Sequence, residues 1–266
     1  MNRRTFIASA VAAALFASAS LPAFAAPAQK LRVACTPVPS GELLKFVKPI
    51  FAKQGIDLQI VEFTDFVAPN AALDAKEVDA NFYQHVPFLD NAVRLRRLKI
   101  AKVAPVHILP IAVYSKNLKD VKKVPQGGRV SIPNDPTNGG RALLLLQSAG
   151  LIKLRPGVGY EATPLDVVSN PKKLKFVELD AAQVPRSIRD VDLAVVNSNY
   201  ALGVGLNPLK DAIFIENKES PYAVVVAARQ GDEKNPKIQK LVQALTSKET
   251  KNFILKKYKG AVVPAF

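Results

Sequence analysis

The decisive stretch of this sequence is Val130-Ser131-Ile132-Pro133-Asn134-Asp135-Pro136-Thr137-Asn138-Gly139-Gly140-Arg141. An apolar strand ends here in a run of turn-forming residues, and a long apolar helix follows. Short strand candidates alternate with helical stretches on both sides of it, which predicts an α/β fold with mostly parallel sheets flanked by helices. Such sheets bind ligands at the carboxyl ends of their strands. We therefore expect the functional site in the loops 63–70, 81–87, 134–141 and 197–200.

The start of the helix in this stretch offers a place for an anion. Asn138 is a good N-cap residue, and we predict the helix over 141–149. Backbone N–H groups at such an end, together with the helix dipole, favour a negative charge. Arg141 adds a guanidinium that can clamp a carboxylate through two hydrogen bonds. The alternative interpretation is an ordinary capped helix with an exposed arginine.

Two further segments place aromatic side chains near the same edge of the sheet. Phe66 follows a predicted strand, and Tyr83 lies in the segment 79–85, which follows a predicted helix. Both rings would wall a slot for an apolar side chain such as a thioether. Phe66 is also compatible with an ordinary core position. His85 suits a neutral hydrogen-bonding role, since one histidine alone does not form a metal site.

The N-terminus predicts export. A charged start, a short apolar run from Phe6 to Phe16 and a small-residue site ending at Ala25 form the three parts of a secretory signal peptide. We expect residues 1–25 to be removed, by the general or the twin-arginine route, and the mature protein to be soluble in the periplasm. Cys35 lies beyond this cleavage site, so we expect a small buried core residue there and no lipid anchor.

Composition excludes several classes of protein. The chain has 266 residues, 48% of them hydrophobic, so it can bury a sizeable core. Its formal net charge of +15 is spread over short basic clusters without interleaved aromatic residues, which argues against nucleic-acid binding. No grouping of histidine, cysteine and carboxylates has metal-ligand spacing, and no motif of a nucleophilic enzyme is complete. We therefore expect no metal, no cofactor and no catalysis.

Four motifs together resemble the NlpA/MetQ family of methionine-binding proteins. They are Pro133 to Asn138 with Gly140-Arg141, Asp79-Ala80-Asn81 with Gln84-His85, Asp166-Val167-Val168 with Asn170-Pro171, and Glu219-Ser220-Pro221-Tyr222. The resemblance runs from about residue 31 to the C-terminus. It implies a type II periplasmic binding protein fold with a ligand cleft between lobe 1 (26–107 plus 226–266) and lobe 2 (108–225).

The resemblance also implies a function and a set of ligand contacts. A member of this family captures a small amino-acid ligand, methionine being the first candidate, and delivers it to the membrane subunits of an ABC transporter. We expect it to act as a monomer. Arg141 would hold the ligand carboxylate with Asn138 beside it, and Asn197 would add polar contacts. The side chains that surround the ligand would be Phe66, Tyr83 and His85.

Two positions depart from the family pattern and leave the ligand open. Val224 stands where the family has an asparagine that bonds the ligand, and Leu109 replaces a tyrosine or acidic residue. Losing one hydrogen bond to a charged ligand group costs about 1.5–3 kcal/mol, a tenfold to hundredfold change in affinity. The alternatives are therefore a different amino-acid derivative, a dipeptide, or a non-transport interaction role on the same fold.

Overall fold

The computed structural model describes residues 29–217 and 221–266, and the predicted signal peptide lies outside them. The α-helices of the described residues are α1 (Glu42–Ala52), α2 (Ala68–Asp74), α3 (Val86–Arg96), α4 (Pro136–Ser148), α5 (Val184–Ser187), α6 (Ser198–Gly203), α7 (Pro236–Leu245) and α8 (Lys248–Tyr258). The strands are β1 (Gln29–Cys35), β2 (Ile56–Glu62), β3 (Ala80–His85), β4 (Ile100–Ile108), β5 (Ala112–Tyr114), β6 (Arg129–Pro133), β7 (Lys153–Leu154), β8 (Val167–Ser169), β9 (Lys175–Leu179), β10 (Leu193–Val196), β11 (Phe214–Ile215), β12 (Ala223–Arg229) and β13 (Val263–Pro264). Within these ranges, none of the helices has the length and hydrophobicity that crossing a membrane requires.

Two sheets form the centres of two lobes, which confirms the predicted α/β two-lobed fold. The first sheet has the strand order β13-β4-β12-β3-β1-β2, and the second has the order β11-β5-β10-β6-β9. Strand β1 runs parallel to β2 and β3, and β6 runs parallel to β9 and β10. Pairs that involve β4, β5 or β12 are antiparallel. The sheets are mixed instead of mostly parallel because these three strands carry the chain between the lobes and run against the βα units.

Each lobe has its own apolar core. In the first lobe, α1 buries Leu44 and Phe51 against β1 and β2, and α7 packs on the same core. In the second lobe, Leu143 and Leu146 of α4 pack on Ile132 of β6. Complete burial of one such side chain stabilises a fold by about 1.5–3 kcal/mol. The separate cores allow each lobe to move as one body, so the position of the connections decides how the lobes meet.

The chain crosses between the lobes twice. The connections are residues 109–111, between β4 and β5, and residues 216–222, between β11 and β12, of which 218–220 lie outside the described residues. Ala223 to Val225 were placed in lobe 2 by the sequence, yet they pair with β4 in the first sheet. Ile108 likewise belongs to the first sheet, as the last residue of β4. The end of β4 and the start of β12 therefore lie at the same edge of the first sheet as His85, the last residue of β3.

Strand β3 corrects a second prediction. Residues 81–87 were expected to form a loop, but Ala80–His85 is a strand whose residues are all buried. The side chains of Asn81 and Gln84 are satisfied inside the first lobe, where Asn70 bonds both of them at 2.8 Å. The end of β3 then leads directly into α3, with His85 as the N-cap.

Candidate functional site between the lobes

A cavity lies between the two lobes. Small-molecule sites occur preferentially in clefts between domains, so this cavity is the candidate ligand site. Its lining residues are Phe66, Tyr83, Gln84, His85, Phe88 and Val224 from the first lobe, Asn138, Arg141, Asn197, Ser198 and Asn199 from the second, and Leu109 and Tyr222 from the connections. The structure thus brings together all seven side chains that the sequence selected.

Arg141 is the charged group of the cavity and is only 3% exposed. Its Nε donates to Oε1 of Glu216 at 2.9 Å, and its Nη2 donates to Oε2 of Glu216 and to the carbonyl oxygen of Leu109. The guanidinium carbon lies 4.0 Å from the centre of the Tyr222 ring. Within the described part of the chain, Nη1 makes no hydrogen bond. The edge of the guanidinium formed by Nε and Nη2 is therefore bound to the protein, whereas Nη1 is available to a ligand.

Glu216 is the main residue of the site that was not predicted from the sequence. It follows β11 and lies 75 positions from Arg141 along the chain. The available signal was an acidic residue at the end of a strand that the sequence predicts over 212–216, in a strongly basic chain. Its carboxylate balances the charge of Arg141, so the predicted carboxylate clamp already holds one carboxylate of the protein itself.

The N-terminus of α4 differs from the prediction. The helix begins at Pro136 with Asp135 as its N-cap, not at Asn138. Oδ1 of Asp135 accepts the backbone N–H of Asn138 at 2.9 Å, so this helix end is already occupied by a carboxylate and is not an open anion site. The side chain of Asn138 donates from Nδ2 to Asp135, and its Oδ1 lies 3.1 Å from Nε2 of His85 and 2.6 Å from Nδ2 of Asn197.

His85 joins the two lobes as a neutral group. Burial, with the positive charge of Arg141, lowers the pKa of His85 from 6.5 to about 3. Its Nδ1 accepts the backbone N–H of Phe88 at 3.1 Å. The proton therefore sits on Nε2, which donates to Asn138 across the cleft. The predicted neutral hydrogen-bonding role agrees with this geometry.

Aromatic rings cover the apolar side of the cavity. The ring centre of Phe66 lies 6.1 Å from that of Tyr83, 5.8 Å from that of Phe88 and 4.9 Å from that of Tyr200. The hydroxyl of Tyr83 donates to the carbonyl oxygen of Phe66 at 2.9 Å, which fixes the loop that carries Phe66. Val224, directly opposite His85 in the pairing of β3 with β12, adds an aliphatic surface. This wall can accept an extended apolar side chain.

Contacts outside the cavity hold the lobes together. Tyr200 of α6 donates its hydroxyl to the carbonyl oxygen of Thr64 at 3.0 Å. Glu161 of the second lobe accepts hydrogen bonds from Asn91 and Arg94 of α3. The structure is therefore a closed arrangement of the two lobes. Across residues 29–217 and 221–266, no group of histidine, cysteine and carboxylate side chains could hold a metal ion.

Comparisons with known proteins agree with this architecture. The model of the family described as NlpA lipoprotein matches residues 31–266. The D-methionine-binding lipoprotein MetQ of Escherichia coli is 47% identical over 213 residues, covering 79% of both chains. A nutrient binding protein from Burkholderia cenocepacia, solved bound to methionine, is 48% identical with a TM-score of 0.86, over 89% of this chain and 100% of its own. An ABC transporter periplasmic substrate-binding protein from Coxiella burnetii is 41% identical with a TM-score of 0.84, over 88% of this chain and 100% of its own.

One prediction from the N-terminus is overturned by these comparisons. The sequence suggested a mature protein that is free of a lipid anchor, but both the matching family and the curated relative are named as lipoproteins. The predicted cleavage site lies outside the described residues. Cys35 itself is a fully buried residue of β1, and burial raises the pKa of its thiol to about 12, as a core position requires.

Proposed function

This chain belongs to the NlpA lipoprotein family, and on that premise we propose that it is a substrate-binding protein that captures a free amino acid between its lobes. Methionine is the first candidate, because relatives of 47–48% identity are named for it or were solved with it. The captured ligand would pass to the membrane subunits of an ABC importer. Residues of one chain complete the cavity, so the protein would act as a monomer.

The observation that carries this proposal is the pairing of two opposite polar groups in one closed cavity. Arg141 offers an unbonded Nη1, which can donate to a carboxylate. Asn197 has an Oδ1 that is buried without a hydrogen-bond partner among the described residues, and it can accept from an ammonium. An α-amino acid carries these two groups on one carbon atom. The aromatic wall formed by Phe66, Tyr83 and Phe88 would then receive its side chain.

The lining residues come from both lobes, which supports capture of the ligand by lobe closure. The polar groups that would hold the backbone of the amino acid come mainly from the second lobe, whereas the rings around its side chain come from the first. A ligand that touches both lobes binds the closed state more tightly and shifts the population towards it. The cross-lobe hydrogen bonds of His85 and Tyr200 would add to the stability of the closed state.

The chemistry of the cavity favours a single amino acid over a dipeptide. Arg141 and Asn138 are polar residues of its lining, whereas the side chains of Leu109 and Val224, which also line it, present no polar group to a second peptide unit. A flexible thioether fits an irregular apolar wall and makes favourable contacts with ring edges. This supports methionine among the amino acids.

Calorimetric titration tests the proposal directly. The protein would be unfolded and refolded to remove bound ligand, then titrated with L-methionine, D-methionine and a panel of other amino acids. We expect saturable one-to-one binding of at least one of them. Binding of none would refute the proposed function.

A pair of matched variants tests the role of Arg141. Arg141→Lys keeps the charge but cannot reach Glu216, Leu109 and a ligand at once, so we expect about a tenfold to hundredfold loss of affinity. Arg129→Lys changes an exposed arginine of the same lobe and should bind like the wild type. Full affinity in Arg141→Lys would contradict the assigned contact.

A further inference from the structure

Asp135 does not line the cavity, but it is the first member of a series of hydrogen-bonded side chains that ends there. Its two carboxylate oxygens each lie 3.0 Å from Nδ2 of Asn138. Oδ1 also accepts the backbone N–H of Asn138 and the hydroxyl of Thr137. Both oxygens thus act as acceptors, so the group that faces them must be a donor.

This requirement fixes the orientation of the Asn138 amide. If the amide were turned over, its oxygen would face both oxygens of Asp135. The NH2 group therefore points to Asp135, and Oδ1 of Asn138 is left as an acceptor on the other side.

Two donors converge on that acceptor. Nε2 of His85 must donate, because Nδ1 of the same ring already accepts the backbone N–H of Phe88. Nδ2 of Asn197 lies 2.6 Å from Oδ1 of Asn138 and must donate as well. The amide of Asn197 is thereby oriented too, with its Oδ1 directed away from Asn138.

The last atom of this series is an unsatisfied acceptor. Oδ1 of Asn197 is buried and has no partner within the described ranges, and Asn197 lines the cavity. A ligand that brings a donor to this oxygen gains a hydrogen bond. A ligand that brings an acceptor leaves two oxygens facing each other.

We propose that Asp135 is a positioning residue that sets the polarity of Asn138 and Asn197, so that the cavity selects ligands with a free α-ammonium group. The inference rests on the proposed function and specifies its substrate class. Amino acids of suitable side chain are accepted, whereas their 2-oxo acids, which have an acceptor in place of the amine, are rejected.

The Asp135→Asn variant tests this polarity. Asparagine keeps the shape and the capping ability of the residue, but its amide can turn and offer a donor to Asn138. The orientation of the neighbouring amides is then held by Nε2 of His85 alone, so their turned-over forms become more populated. We expect the ratio of affinities for L-methionine and 4-methylthio-2-oxobutanoate to fall at least tenfold relative to the wild type. Asp180→Asn is the matched control and should keep the ratio. It lies at a turn after β9, where its carboxylate accepts the N–H of Ala182.

Calorimetry on the refolded full chain distinguishes the outcomes. Equal losses for both ligands in Asp135→Asn would show a merely structural role and overturn the inference. Absence of binding by the wild type to either ligand would instead refute the proposed function. If Asp135→Asn does not fold, Asn197→Leu removes the acceptor itself, and an unchanged ratio in that variant would equally overturn the inference.

Discussion

Replacement of Glu216 by glutamine measures what holds Arg141 in the cavity wall. The arginine side chain is 3% exposed and that of Glu216 is 15% exposed, so their pairing is largely screened from water. Glutamine keeps the shape and retains one acceptor for Nε of Arg141. Its NH2 group, however, meets the donor Nη2, and the negative charge that balances the guanidinium is lost.

The size of the effect follows from burial and from the number of bonds. A hydrogen bond to a charged group contributes about 1.5–3 kcal/mol. Removing one partner of a fully buried ion pair costs about 3–5 kcal/mol. Because Glu216 keeps some contact with solvent and one bond survives, we expect the free energy of unfolding to fall by about 2–3 kcal/mol.

Urea unfolding of the ligand-free protein provides the assay. The midpoint should shift while the dependence on urea stays constant, which indicates a change in stability and not in the exposed surface. Glu178→Gln, an exposed glutamate of β9 in the same lobe, should remain within about 0.5 kcal/mol of the wild type. If Glu216→Gln is as stable as this control, the pairing does not anchor Arg141 and the reasoning fails.

Three further predictions concern packing, closure and pH. A Cβ on Gly140 would lie 2.1 Å from the backbone oxygen of Tyr160, so Gly140→Ala should lower the free energy of unfolding by at least about 1–3 kcal/mol. Gly203→Ala is the control and should be neutral, because its Cβ would meet nothing within 4 Å. Equal melting temperatures of the two variants would contradict this. Tyr200→Phe removes a cross-lobe hydrogen bond and should weaken methionine binding by about twofold to tenfold without lowering the stability of the ligand-free protein. Unchanged affinity in calorimetry would show that this bond does not favour closure. Burial lowers the pKa of His107 from 6.5 to about 3, so below pH 6.5 its imidazole is protonated in the unfolded state but stays neutral in the folded state. The contribution of this group to the free energy of unfolding is therefore fully present above pH 6.5. It decreases towards pH 3 by up to about 1.4 kcal/mol per pH unit. His107 has no hydrogen-bond partner on either ring nitrogen within the described residues, so His107→Leu should flatten the pH dependence of urea unfolding between pH 6.5 and 4, and an unchanged slope would refute this.

Regular elements were predicted well where apolar residues alone define them. The sequence predicts strands over 129–133 and 175–179, and β6 and β9 have these bounds, because their apolar residues are followed by the turn-forming Asn134 and Asp180. The sequence predicts one C-terminal helix over about 236–258, but the structure has two helices there, α7 and α8. Thr246 is the C-cap of α7, and Ser247 caps α8, since its Oγ accepts the backbone N–H of Thr250. That signal was local and present in the sequence.

The start of α4 could not be predicted from local helix-capping propensity. Asp135 followed by Pro136 is a strong helix-start pattern, with proline in the first turn. Asn138 also suits an N-cap and lies nearer the apolar run of the helix. Local propensity ranks both residues as good caps, so it could not decide between them. The choice depends on partners far away in the chain, since the side chain of Asn138 is needed by His85 and Asn197.

Misassigned elements cluster at the cavity, and there is a physical reason for this. A buried strand is expected to be apolar, yet β3 buries Asn81, Gln84 and His85 because their partners lie on other elements and on the other lobe. Such an arrangement would be costly if any partner were missing. Local rules are broken where a site needs polar groups held at fixed angles. Amide and imidazole side chains on a short segment between a helix and a proline therefore indicate a binding face of the sheet, and this signal was already present at residues 80–87.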